Sequence, residues 1–89
     1  VRSRLKEAYS YFKEVAQKSP DHYTPHWKTL EAWTYWRKYK ADKIDKKEFN
    51  VVTLELLRKL LKTTDLPPHI ESQAQKLKST LNKVMERSS

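Results

Sequence analysis

Two histidines four residues apart, His22 and His26, are the first place to look for chemistry, because that spacing can bring two imidazoles to one zinc ion. Pro25 stands between them and sets a helix boundary there, only His69 remains elsewhere, and the chain has no cysteine. The ligand set falls short, and all three histidines are expected to be surface or helix-start polar groups. A serine or threonine nucleophile would need a base and a third group to orient it, and no such trio is spaced for the task. Glycine is absent altogether, which excludes the loops that cradle phosphates in nucleotide-hydrolysing and dinucleotide-binding proteins. The neighbouring acids Asp42 and Asp45 fit turn and helix-cap roles rather than acid–base catalysis. The sequence therefore points to a protein that is not an enzyme, with no metal and no cofactor.

What remains is the chemistry of recognition. The run PHWKTLEAWTYWRKY, residues 25–39, concentrates all three tryptophans with two tyrosines, and a basic cluster follows at Arg37, Lys38, Lys40, Lys43, Lys46 and Lys47. Aromatic groups can simply fill volume in a small domain, or one edge of them can stay exposed as a binding patch. The lysines can be a solvated helix junction, or a rim that steers an acidic ligand. Cations beside aromatic rings would also suit single-stranded nucleic acid.

The elements that position these groups follow from periodicity and caps. Residues 3–18 place Leu5, Ala8, Tyr9, Phe12, Val15 and Ala16 at helical spacing, and Ser19-Pro20 ends that helix. A second helix is expected from about Pro25 to Tyr39, with Thr24 as its N-cap. At 100° per residue its large apolar groups occupy almost every direction, the mark of a central, buried helix. The segment KIDKKEF opens a third helix, from Lys46 to about Lys62. Asp45 is the N-cap, Glu48 completes a capping box, and Ile44 with Phe49 forms a hydrophobic staple. After TTDLPPH a fourth helix is expected from about Pro68 to Met85, with a seam of Ile70, Ala74, Leu77, Leu81 and Val84. No strand alternation, repeat or low-complexity tract occurs. The fold class is all-α: one domain over residues 1–89, a small bundle of four helices with short proline-containing or capped linkers.

With 89 residues the chain can bury only a modest core. Nineteen Lys and Arg against eleven Asp and Glu leave a net charge of +8, which favours an acidic partner. The excess is spread, at +3 over residues 1–18, +2 over 19–44, +2 over 45–63 and +1 over 64–89. The lack of cysteine fits a reducing compartment, no run is apolar enough to span a bilayer, and a start at Val1 rather than Met fits a piece of a longer protein.

The segment DKIDKKEF, with the following LELLRKLLKTTDLPPHIESQAQKLKSTLNKV, resembles the TAF homology domain found in a TFIID subunit and in ETO-type corepressors. Lys43, Ile44, Glu48 and Phe49 match that family's interhelical linker, Leu57 to Leu61 its leucine-rich helix, and Pro67-Pro68 its proline break. The likeness is strongest over residues 43–84. A similar helix–staple–helix order occurs in plant RST domains and in the paired amphipathic helix domains of Sin-type corepressors, whose first helix AYSYFKEV also resembles. Bundles of the TFIIS N-terminal-like or integrase-binding type are similar in size and basicity. These resemblances imply a nuclear, transcription- or chromatin-related coregulator module that receives a short, acidic, amphipathic segment of a regulatory protein. Tyr35, Trp36, Tyr39, Phe49, Leu56 and Leu60 are the expected groove residues, with Arg37, Lys38, Lys40, Lys43, Lys46 and Lys47 as a basic rim. The alternative is a basic helical domain that binds DNA or RNA.

Overall fold

A computed structural model of the chain describes residues 2–39 and 46–88, without the side chains of residues 2, 3, 39 and 88. Among the described residues there are four helices and no strand: α1 (Arg2–Lys18), α2 (Tyr23–Tyr39), α3 (Lys46–Leu61) and α4 (Pro68–Ser88). They form a small all-α bundle in which each helix lies chiefly on its neighbours in sequence: α1 on α2, α2 on α3 and α3 on α4. The assembly measures 34 × 31 × 19 Å, about two helices deep along its short axis.

The aromatic helix is central, as its all-round apolarity predicts. Leu30, Trp33 and Trp36 of α2 are buried with Leu54, Leu56, Leu57 and Leu60 of α3 and Ile70, Ala74 and Leu81 of α4. Tyr9 of α1 closes the other side, its ring 5.3 Å from that of Trp33 and 5.7 Å from that of Trp36. Phe49 stacks on Trp33 from α3 at 5.9 Å. The buried indole N–H is satisfied: Trp33 Nε1 donates to Thr53 Oγ1 at 2.9 Å, and that hydroxyl donates in turn to the Phe49 carbonyl at 2.8 Å. A donor from α2 is thereby tied to the backbone of α3, which fixes the two helices in register.

The chain has no glycine, the residue that most often ends a helix in a left-handed turn, and no described residue has a positive φ. Side chains and carbonyls take that role. The Thr63 hydroxyl donates to the Leu60 carbonyl at 2.7 Å at the end of α3, and Glu71 N donates to the Pro67 carbonyl at 2.9 Å to open α4 at Pro68.

The start of α2 differs from expectation, at Tyr23 instead of Pro25. The cap is Asp65, from the linker between α3 and α4, whose carboxylate accepts the Tyr23 N–H at 2.8 Å. Its second oxygen lies 3.3 Å from His22 Nδ1, and Thr64 donates to the Asp21 carbonyl through both its N–H and its hydroxyl, each at 3.1 Å. A clasp between the two proline-containing linkers thus supplies the anchor that Thr24 was expected to provide. Asp45 and Ile44, the proposed cap and staple of α3, lie outside the described residues.

Candidate functional site

Because α2 and α4 both rest on α3, a trough runs between them. One part of it is a cleft of about 490 Å³ lined by Thr34, Arg37 and Lys38 from α2, Lys46, Phe49 and Asn50 from α3, and Val84 from α4. An adjoining hollow of about 380 Å³ shares Thr34 and Lys38 and continues along Tyr35, Leu30 and Trp27 on one side and Leu77, Ala74 and Gln73 on the other. Tyr35, Leu77 and Val84, three of the large apolar side chains left in water, stand on its edges at 58%, 40% and 42% exposure. Thr34 donates its hydroxyl to the Leu30 carbonyl at 2.6 Å, so this polar group is turned back onto its own helix. The trough is accordingly largely apolar, with Glu31 and Gln73 toward its Trp27 end, and cationic at the Phe49 end, where Arg37, Lys38 and Lys46 converge.

Arg37 is held more firmly than a surface cation. Its guanidinium carbon lies 4.5 Å from the ring centre of Trp33 and 4.7 Å from that of Trp36, within cation–π range of both. Its Nε is buried without an acceptor, and Nη2 meets Glu48 Oε1 at 3.4 Å.

The residues expected from sequence divide into three groups. Phe49, Arg37, Lys38 and Lys46 come together in the cleft, and Tyr35 edges the adjoining hollow. Trp36, Leu56 and Leu60 do not belong to this groove, and their assignment to it is corrected. All three are buried: Trp36 stacks under Tyr9, Leu60 is fully enclosed in the core, and Leu56 turns toward α1. Lys47 is exposed on the first turn of α3 and lines neither hollow. The side chain of Tyr39, with Lys40 and Lys43, lies outside the described residues. Periodicity within α2 and α3 could not reveal that the facing wall is α4. The signal was in the α4 seam, where Ile70, Ala74 and Leu81 go into the core while Leu77 and Val84, one heptad apart, are left at the rim.

A second concavity, of about 320 Å³, lies on the α1 side with Lys13, Lys59 and Lys62 around it. Asp21 shares that hollow, and Lys59 pairs with Glu55 at 3.6 Å, so its positive charge is partly offset. His26 forms part of its lining, its Nε2 3.2 Å from the Pro20 carbonyl, while His22 points to Asp65, so the two do not converge. Among the described residues no three His, Cys, Asp or Glu side chains are grouped to hold a metal, and no helix is long and apolar enough to cross a membrane.

Asp65 is an acid whose ionisation departs from its ordinary value. Desolvation by the surrounding chain pushes its carboxyl up, but the Tyr23 N–H and the His22 ring outweigh it and hold it below the usual carboxylate range. That marks a structural cap rather than a reactive acid.

No family model matches the chain, and neither a curated protein nor a solved structure matches it.

Proposed function

We propose that this domain is a non-enzymatic protein-interaction module, of the nuclear, transcription- or chromatin-associated kind that its sequence resembles, and that it receives a short acidic amphipathic helix in the trough between α2 and α4. The observation that carries this reading is the coincidence of an apolar trough edged by Tyr35, Leu77 and Val84 with a cationic end made by Arg37, Lys38 and Lys46. Leu77 and Val84 are separated by about 10 Å of helix rise, the distance over which a docked helix repeats its own apolar residues at i and i+7. An acidic residue beyond the last of those anchors would reach the cationic end. The anchors hold the complex, and the lysines mainly speed and orient encounter.

Nucleic-acid binding is the competing outcome. Trp33 and Trp36 of α2 do not favour it, since they are buried under Tyr9 and Arg37 and offer little face on which a base could stack, which leaves Tyr35 as an exposed ring of that helix. Fluorescence anisotropy with an acidic amphipathic peptide and with single- and double-stranded oligonucleotides, at low and moderate salt, separates the two. Peptide affinity that persists at moderate salt supports the reading. Oligonucleotide binding without peptide binding, falling steeply with salt as counterion release requires, refutes it.

A further inference from the structure

We infer that Glu48 is a built-in competitor at Arg37, an internal carboxylate occupying the position that an acidic residue of the ligand takes over. This deepens the groove reading and rests on it. Arg37 lines both the cleft and a hollow on the α1 side that Trp33 and Trp36 share, and its side chain is only 19% exposed with its cation fixed against those two rings, so it presents a preorganised fork where the two hollows meet. A rigid guanidinium of this kind normally binds a carboxylate through two parallel, short hydrogen bonds. Here it has a single contact to Glu48, 3.4 Å long, and its Nε has no acceptor. Glu48 reaches it from the first turn of α3 with 59% of its side chain in water.

An exposed, single-point ion pair of that length contributes little and exchanges readily with solvent. It offsets part of the charge of the fork in the free protein. It is too weak to resist a ligand carboxylate that arrives with apolar anchors already seated at Leu77 and Val84. The ligand class is therefore narrower than any amphipathic helix: it carries a carboxylate placed to engage Arg37, and Glu48 sets the threshold it must exceed. Lys38 and Lys46 add attraction without such geometry, since an ammonium is a point charge and makes no fork.

The test is a double-mutant cycle on the folded domain. Glu48→Gln keeps a side chain suited to the third position of a helix and removes the competing charge, and it is expected to tighten binding of an acidic amphipathic peptide about two- to five-fold. Arg37→Gln is expected to weaken it about ten-fold. In the Arg37→Gln background the gain from Glu48→Gln should vanish. Glu55→Gln, which removes the same charge from the α1 side of α3, should leave affinity unchanged. Equal gains in both backgrounds, or an equal gain from Glu55→Gln, would mean that Glu48 acts only through the general field, and the inference falls. A second readout needs no peptide: titration of glutarate while following the Arg37 Nε–Hε resonance. A response that is tighter in Glu48→Gln than in wild type supports the exchange at Arg37 even if no peptide binds and the groove reading fails. No response in either protein overturns it.

Discussion

Replacing Thr53 by valine should test what holds α2 against α3, because it keeps the volume of the side chain while deleting one hydroxyl. That hydroxyl accepts from the indole of Trp33, which is 2% exposed, at 2.9 Å, and donates to the Phe49 carbonyl at 2.8 Å. Without it the indole N–H remains buried with no acceptor, a penalty of about 1–3 kcal/mol. For a domain of 89 residues each kcal/mol moves the melting temperature by about 5 °C, so Thr53→Val should melt about 5–15 °C below wild type. Thr29→Val provides the contrast. Thr29 is equally buried, but its hydroxyl only donates to the Pro25 carbonyl at 2.7 Å, and that carbonyl keeps its helical N–H partner four residues on. No donor is orphaned, and its stability should change by less than about 0.5 kcal/mol. Thermal and urea melts followed by circular dichroism measure both. Equal effects of the two substitutions, or a Thr53→Val protein as stable as wild type, would refute the claim that this hydrogen bond joins the helices.

Core and groove should separate cleanly by mutation. Leu60→Ala, at a fully buried position, should cost about 2–5 kcal/mol of stability, whereas Tyr35→Ala and Leu77→Ala should barely shift the melt and should weaken an acidic amphipathic peptide by more than about 1 kcal/mol if they are its anchors. Charge reversal at Lys38 or Lys46 should slow peptide association and reduce its salt dependence with little change in dissociation, as stopped-flow traces at two ionic strengths would show. Asp65→Asn should lower stability at neutral pH. Since the folded Asp65 titrates below its ordinary value of 3.8, its contribution is fully present above that value and lost as pH falls through the folded one, so the melting temperatures of wild type and Asp65→Asn should converge in acid.

The sequence carried the number of helices among the described residues, their central member and the opening of α4, because each rests on local signals: apolar period and proline. It misplaced the start of α2 because the cap, Asp65, lies 42 residues further on and reaches Tyr23 only through the folded clasp. The groove was half legible. Composition marked the cationic cluster and the aromatic run, and Phe49, Arg37, Lys38, Lys46 and Tyr35 do line the trough. Which flank of an all-round apolar helix stays open depends on how its neighbours cover it, and that is a tertiary fact. Tyr9 stacks on Trp36, while Leu56 and Leu60 of α3 turn inward and are buried, and Leu77 and Val84 of α4 are left at the edge.

Peptide binding in the trough is tested most directly by mapping amide and methyl chemical shifts of the labelled domain as an acidic amphipathic peptide is added. Binding in the trough predicts perturbations centred on Thr34, Tyr35, Arg37 and Lys38 of α2, Lys46, Glu48, Phe49 and Asn50 of α3, and Leu77 and Val84 of α4, with the α1 face at Lys13 and Lys59 silent. Perturbations centred on that α1 face, or no response to any such peptide, would contradict it.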